Sequence, residues 1–519
     1  MVGKIVFLAR DCSIQSAVKW TESLRVMGDA GEPPAGSQDP SLPSAHPTQS
    51  FWQTSHVNNT TNYRSTPELP KEAKVVVIGS GITGVFAARE LVSSSEHDVL
   101  VLEARTTCSG ATGRNGGHLQ PLVHEQDPNV INFELQNFQH IADLIEKFNI
   151  RCDFRKVKGV IGFYNKIFFG EAKQQLAEFE KTAPPEYRGL VQLIEDEAEL
   201  ENLQLKGAVG AIVQSVAASL SPYKLVTWLW ERMLRANPAL NLQTNTAVTS
   251  LRPSKPGEWL VHTDRGAVAT SHIIIAANGY SSYLLPQFSD LITPVSATMS
   301  ALKPPPSFSN TLLPNSFGFM GVGNQDRVQS DYLVQAPIST GGHMMYGGGR
   351  QTQTNFGVGV TDDSYVDGAT EQYLASNLPK LLNLSTPEKE GLQSAAIWTG
   401  IIGHSRDHFP WVGRVPDMDG VYLAAGYSGH GMPNAALCGR YVADLVLRAI
   451  DGNEMSEDVD WEREAEDDDA EGKVTMVPEE YKITKQRITE AKQLKADYGE
   501  GEPIGKSEEE DEKVLTGTW

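Results

Sequence analysis

KVVVIGSGITGVFAARELV, residues 74–92, followed by DVLVLEAR, residues 98–105, decides the fold of this chain. Val75, Val76, Val77 and Ile78 are an unbroken β-branched run, which suits a strand covered on both faces. A glycine turn and a helical pattern follow, and then a second short apolar run at 99–102. This is a βαβ unit of about thirty residues. Its turn spells G-x-G-x-x-G: Gly79, Gly81 and Gly84, with Ile82 and Thr83 between the last two. Glu103 stands nineteen residues beyond Gly84, at the end of the second strand, where an acidic residue can hydrogen-bond a ribose. Gly79 permits the tight turn, Gly81 lets the backbone approach a pyrophosphate, and Gly84 lets the helix lie close to the strand. The helix N-terminus adds free N–H groups and the positive end of a dipole. Together these features read as a dinucleotide site.

The motif alone does not choose between FAD and NAD. The next residues help. From Glu103 and Ala104 the chain runs Arg105-Thr-Thr-Cys-Ser109-Gly110-Ala111-Thr112-Gly-Arg114-Asn115-Gly116-Gly117-His118, a polar and glycine-dense loop. Such a loop can wrap a second phosphate-bearing or ribityl segment with backbone N–H groups. A nicotinamide enzyme would more simply return to a helix here.

Outward from this unit, 130–150 has helical spacing, 155–170 reads as strand, and 171–205 as charged helix. Ser221 and Pro222 open a helix that continues to Leu234. A hairpin is expected over 247–263 and a buried strand over 272–277, stopping at Asn278-Gly279. Residues 290–400 alternate short strands and turns around a helix near 371–382. A last buried strand, 421–426, leads through Ser428-Gly429-His430-Gly431-Met432 into an apolar helix over 434–450. Residues 30–70 have the composition of a linker or extended arm, although Phe51 and Trp52 suggest packing on a domain surface.

The length of 519 residues is about three domain units. The formal charge is −21, but residues 451–519 carry −14 of it, from 23 acidic and 9 basic residues. The folded core is therefore near neutral, and the tail reads as a solubilising extension, disordered or only partly helical. Residues 481–498 can form at most a short charged helix, with apolar positions too sparse to require a partner. The charge balance argues against nucleic acid and against docking on anionic membranes. No apolar run reaches a membrane-spanning length. Four cysteines, Cys12, Cys108, Cys152 and Cys438, form no CxxC pair, and a reducing compartment is the default. The cytoplasm is the expected location. Lys4, Arg10, Lys19 and Arg25 leave a mitochondrial alternative.

Four blocks in order resemble the FAD-dependent amine and amino-acid oxidoreductases of the D-amino-acid-oxidase-like superfamily, over about 400 residues from 74 to 450. They are the βαβ unit, SGATGRNGGH (109–118), IIIAANGYSS (273–282), and WTGIIGHSRDHFPWVG (398–413) with VYLAAGYSGHGM (421–432). The second block resembles the gamma-glutamylputrescine oxidase branch and its fungal-type relatives. The resemblance implies an α/β (α+β) fold. A Rossmann-like FAD-binding domain is assembled from discontinuous segments (71–150, 211–290, 396–450), and an antiparallel-sheet substrate domain from 151–210 and 291–395. A poorly ordered arm (1–70) and the acidic tail (451–519) flank them.

By the same resemblance, Gly79, Gly81, Ile82, Thr83, Gly84, Glu103, Ala104 and Arg105 hold the ADP half of FAD. Ser109, Gly110, Ala111, Thr112, Arg114, Asn115, Gly116 and Gly117 pass near the pyrophosphate and isoalloxazine, and Gly426, Ser428, Gly429, His430, Gly431 and Met432 cap the flavin. Non-covalent FAD is expected. Arg114 stands where some relatives carry an attaching His, and Thr399 where others carry a Cys; Cys108 is the residue that could overturn this. The implied chemistry is oxidation of a C–N bond by hydride transfer to flavin N5, with hydrolysis of the imine and molecular oxygen as acceptor. A dehydrogenase or oxidative-cyclisation enzyme using another acceptor is the alternative. No residue is assigned as catalytic. Arg114, His118, His343 and Arg350 are candidates, each with a structural reading beside the functional one, and Arg114 can equally hold a carboxylate or stay on its loop. His404, Asp407 and His408 have a spacing that invites a metal reading, but no cysteine or further carboxylate joins them and no metal is expected. A small-molecule amine or amino acid is the expected partner, and oligomeric state is left open.

Overall fold

Val75–Ile78 is a fully buried strand with parallel neighbours on both sides, which is why its composition is continuously apolar rather than alternating. The computed structural model describes residues 41–94, 97–124, 127–322, 330–385, 390–452 and 476–494. Among them the strands form three sheets. The first has six strands in the order Trp411–Arg414, Val421–Ala425, His272–Ile275, Val75–Ile78, Val99–Leu102, Leu240–Gln243. All of its pairs are parallel except the edge pair made by Trp411–Arg414. The helices Ile82–Ser94 and Ala435–Ile450 cover one face of it.

These two helices approach closely because glycine and alanine face each other. A Cβ at Gly439 would collide with the Thr83 carbonyl oxygen and lie 3.2 Å from Ala87 N. Within the turn, a Cβ at Gly84 would collide with Gly79 O, so the helix rests directly on the strand that precedes it.

The second sheet is a three-stranded antiparallel meander of Val248–Lys255, Glu258–Thr263 and Gly266–Thr270. The expected hairpin is thus extended by one strand. The third sheet has nine strands, with Ser394–Ser405 and His118–Leu119 at its ends and Ile292–Leu302, Met344–Gly348, Ser330–Gln335, Asn315–Met320, Arg155–Phe163 and Gly210–Ser219 between them; Val191–Ile194 pairs beside Gly210–Ser219. Its pairs are antiparallel apart from Arg155–Phe163 with Asn315–Met320. The fold is thus a mixed α/β architecture of a Rossmann-like unit and a second domain. Among the described residues no helix is long and apolar enough to cross a membrane.

Several local expectations change. The strand expected over 155–170 ends at Phe163, and a helix begins at Lys166, because Asn165 caps it by accepting from Ile167 N. The stretch 171–205 is not one helix. Helix Lys166–Thr182 stops before Pro184 and Pro185, and strand Val191–Ile194 and the short helix Glu197–Asn202 follow. Gly210–Ser219 pairs in the nine-stranded sheet, so the proposed substrate segment 151–210 extends to about 219.

Residues 41–70, expected within a poorly ordered arm, are packed. Ser50 and Trp52 are buried; Ser50 Oγ donates to Gly113 O (2.7 Å) and Trp52 Nε1 to Asn115 O (2.6 Å). The described part of the tail is packed too. Tyr481 and Ala491 are buried, and Ile483 and Ile488 lie against the core beside the six-stranded sheet. Arg487 bonds both oxygens of Asp407 (2.8 and 3.0 Å) and lies 3.8 Å over the Trp411 ring. The solvated-tail reading therefore fails for 476–494, because a few apolar residues and one arginine fork suffice to seat it. The acidic run at 462–471 lies outside the described residues, as does Cys12.

Replacing Gly439 by Val should destabilise the protein by about 1–3 kcal/mol or more through overpacking against Thr83 and Ala87. Chemical denaturation compared with wild type reads this directly.

Candidate active site

The C-terminal ends of the parallel strands open into a cavity of about 600 Å³, inside the range of about 300–1,000 Å³ usual for small-molecule sites. In an open parallel sheet this is where ligands bind, since the strand ends and the following helix N-terminus converge there. The cavity runs from the glycine turn to the nine-stranded sheet, where Met299, Met320, Tyr332 and Arg350 form its far wall.

At the turn, Gly79, Gly81, Ile82, Thr83, Glu103, Ala104 and Arg105 all line the cavity. Gly79 sits at φ +110, and a Cβ there would lie 2.5 Å from Ala276 O, so no other residue fits the turn without strain. Glu103 Oε2 accepts from Ser80 N (3.1 Å) and Ser80 Oγ (2.6 Å), and Oε1 from Arg105 N (2.9 Å). A carboxylate has about four acceptor positions, so three protein bonds fix it and leave one for a ligand hydroxyl.

The loop 105–117 is held by a buried ion triad. Arg105 Nη1 bonds both oxygens of Asp363 (2.8 and 2.9 Å), and Arg114 Nε lies 3.4 Å from the same carboxylate. Arg114 also donates to Ser109 O and Thr399 O, each at 2.7 Å. Burial lowers the Arg114 guanidinium to about 10 against the upward pull of Asp363. Burial also works against Arg105, but its bonds to Asp363 outweigh that and raise it above its ordinary value. Gly110, Ala111, Thr112, Arg114 and Asn115 line the cavity. Ser109, Gly116 and Gly117 stand behind it, shaping the loop: Gly116 N donates to Tyr332 Oη (2.7 Å), and a Cβ at Gly117 would collide with Leu220 O.

The opposite rim is 426–432. Gly426 is set back, its N–H given to Asn278 Oδ1 at 3.0 Å; Ser428, Gly429, His430, Gly431 and Met432 line the cavity. His430 Nε2 meets the buried Glu134 carboxylate at 3.0 and 3.1 Å. Glu134 and Asn137 come from the helix Pro128–Phe148, on the face that also buries Val130 and Ile141. A carboxylate and an amide inside that apolar stripe were a legible signal that sequence reasoning passed over.

The catalytic candidates separate. His118 lines the cavity, bonds Ser316 Oγ at 2.8 Å, and is held to about 4 by burial and by His430. Arg350 lines the cavity just beyond Met344–Gly348, with Nε donating to Phe356 O at 3.3 Å. Arg114 lines it too, but its bonds are those of a loop anchor. His343 is not brought to the cavity. It precedes the strand, meets Thr340 O through Nδ1 (3.2 Å) and packs on the Phe51 ring. Met345 packs into one core cluster and Met344 and Tyr346 into another, as alternation on a strand covered on both faces requires. His404 and His408 contact edge to face at 5.5 Å, and among the described residues no group of three or more possible metal ligands assembles. Sequence reasoning did not find Leu42 and Pro43 of the arm, Asn278, Tyr280, Asp331 or Tyr332, all of which line the cavity. Only Asn278, at the stop of a buried strand, carried a local signal.

A family model described as FAD-dependent oxidoreductase, DAO, matches residues 74–445. The chain belongs to the DAO family of FAD-dependent oxidoreductases. It is 24% identical to the probable oxidoreductase OrdL of Haemophilus influenzae, over 73% of this chain and 83% of that one. It is also 24% identical to the gamma-glutamylputrescine oxidoreductase of Escherichia coli, over 72% and 83%. In structure it is similar to glycine oxidase from Geobacillus kaustophilus, with TM-score 0.60 and 21% identity, over 73% of this chain and 95% of that one. The DAO family's cofactor is FAD, and the cavity fits such a group. Gly81 lines it, where a Cβ would already press on Thr112 Oγ1 at 3.0 Å, and the buried Arg114 Nη2 on its wall has no hydrogen-bond partner among the described residues.

Asp363→Ala should strand two buried guanidiniums and cost about 3–5 kcal/mol, read as a fall in the thermal unfolding midpoint. His404 is buried and held to about 3 by burial first and by His408 and Arg350 after it. Its folded value lies below its unfolded one, so unfolding takes up a proton below the ordinary histidine value of about 6.5. Its contribution is complete above that value and is lost as pH falls towards about 3, by up to about 1.4 kcal/mol per pH unit. His404→Gln should flatten the decline of urea stability between pH 6.5 and 4.5.

Proposed function

We propose that this chain oxidises the C–N bond of a small amine or amino acid and that oxygen takes the electrons away. The observation that carries this reading is a cavity that joins the dinucleotide turn at Gly79 and Glu103 to a wall bearing Asp331 and Tyr332 of the nine-stranded sheet and Arg350 just beyond it. Cofactor and substrate then meet across the domain junction. The relatives named for gamma-glutamylputrescine and glycine oxidation support an amine or amino-acid substrate and the gamma-glutamylputrescine-type branch.

In this reading Gly79, Gly81, Ile82, Thr83, Glu103, Ala104 and Arg105 would hold the ADP half and Gly110, Ala111, Thr112, Arg114 and Asn115 the pyrophosphate, while Gly84, which does not line the cavity, seats the helix on its strand. Ser428, Gly429, His430, Gly431 and Met432 would hold the flavin end. Bound FAD supplies the hydride acceptor for the carbon next to nitrogen. The protein's own residues do the rest. Apolar Met299 and Met320 exclude water from the far wall, and Tyr332 and Arg350 supply the polar contacts that orient a substrate. Burial keeps the Tyr332 hydroxyl at about 12, so it stays protonated and can donate. His118, held to about 4 by burial and by His430, is neutral at pH 7 and a weak base, so it offers the cavity a polar contact without a charge. Attachment of FAD is read as non-covalent. Cys108, Cys152 and Cys438 are free and buried, none lines the cavity, and burial raises the Cys108 thiol well above its ordinary value.

The test is spectroscopic. The purified protein should be yellow, and acid precipitation should release the colour to the supernatant. Anaerobic addition of secondary amines, amino acids and polyamine derivatives should bleach it with one class, and air should restore the colour. Bleaching that air does not reverse would remove the oxygen assignment; no bleaching by any amine would remove the reaction. Gly81→Leu should abolish flavin retention while leaving the far-ultraviolet spectrum of the folded chain.

A further inference from the structure

Residues 476–494 lie beyond the family match, which ends at 445, yet a buried chain of side chains leads from them to the cavity. Tyr481 Oη donates to Asn434 Oδ1 at 2.8 Å. Asn434 Nδ2 donates to Glu134 Oε1 and to His430 O, each at 3.0 Å. Glu134 Oε2 takes a second fixed bond, from Leu122 N at 2.8 Å. The same carboxylate then holds His430 Nε2, and His430 lines the cavity. Tyr481, Asn434 and Glu134 are all buried at 2% exposure or less.

We propose that Tyr481 is a positioning residue for the flavin site, holding Asn434 and Glu134 so that the His430 ring keeps its place at the cavity wall and its Nε2 proton on the Glu134 carboxylate. The inference rests on the reading of this cavity as the FAD site.

The geometry leaves little slack. Asn434 is the residue before helix Ala435–Ile450 and caps it with no side-chain bond, because its amide is committed to the chain just described. Its carbonyl oxygen accepts from Tyr481, which fixes the amide's orientation and turns its Nδ2 to the carboxylate. Tyr481 is itself fixed: its ring meets Phe133 edge to face at 5.5 Å and Phe409 at 6.1 Å, and its segment joins the six-stranded sheet through Ile483 N to Val412 O (3.1 Å). Burial and the nearby Glu134 charge raise its hydroxyl well above the ordinary value, so it remains a donor. Satisfied chains of this kind in a low-dielectric interior act as a unit, and loss of one member is felt at the other end. The ring so held keeps its N–H dipole aligned towards the Glu134 carboxylate, and loss of that alignment leaves the buried carboxylate charge less well screened from a reduced, negatively charged cofactor.

The experiment uses the full-length, flavin-loaded protein and measures the two-electron midpoint potential of the bound flavin by dye equilibration. Tyr481→Phe keeps the ring packing and removes the one hydroxyl. It should shift the potential in the negative direction by about 30 mV, a tenfold change in the reduction equilibrium. His430→Gln should shift it in the same direction. Adding Tyr481→Phe to His430→Gln should produce no further shift, because the hydroxyl acts through the ring. A Tyr481→Phe potential equal to wild type, or shifts that add in the double variant, would overturn the proposal. A stability change with unchanged potential would assign Tyr481 to packing alone. If the wild type holds no flavin, the reading of the cavity falls instead, so the two failures are distinguishable.

Discussion

The absence of a side chain at Gly84 and Gly439 sets everything else in this protein. With no Cβ at either position, the helix Ile82–Ser94 lies against Gly79 O on one side and against the helix Ala435–Ile450 on the other. The first βα unit and the last one in the matched span are thereby clamped together, although some 350 residues separate them in sequence. Their loops, at 79–84 and 426–432, face the same cavity as a consequence. A methyl group at either glycine would push a helix off its neighbour and open the site.

The second constraint is electrostatic. Burying Arg105 and Arg114 would be prohibitive without Asp363, and burying Asp363 alone would be as costly. The triad ties the loop after Glu103 to the segment around Asp363, and the arm closes over it: Arg105 also donates to Ser44 O and Arg114 to Thr48 Oγ1. Charge pairing of this sort adds little net stability, but it fixes one arrangement, since any slip leaves a buried charge unmatched. Glu134 does the same on the opposite rim, with His430, Asn434 and Leu122 N as its partners.

Described segments on both sides of the family match, 41–73 and 476–494, therefore reach the site. Leu42 and Pro43 line the cavity directly, and Tyr481 reaches it through three hydrogen-bonded residues. Composition hid this. A proline- and serine-rich arm and an acidic tail look solvated, because seating such a segment takes only a few well-placed groups: Ser50 and Trp52 in one, Tyr481 and Arg487 in the other.

What the sequence by itself determined is what local stereochemistry carries. Consecutive β-branched residues made Val75–Ile78 and His272–Ile275 buried strands, the glycine spacing made the turn, Ser221 and Pro222 started a helix, and Glu103 fell at its strand end. These depend on neighbours a few residues apart, so they are legible without the fold. The tertiary structure alone decided that Gly210–Ser219 joins the nine-stranded sheet, that His343 stays away from the cavity while Asp331 and Tyr332 enter it, and that Asp363, Glu134 and Tyr481 find their partners. Those are pairings between residues tens to hundreds of positions apart. Their chemistry is complementary only once sheet register and helix packing have brought them within hydrogen-bond distance, and no local pattern records that.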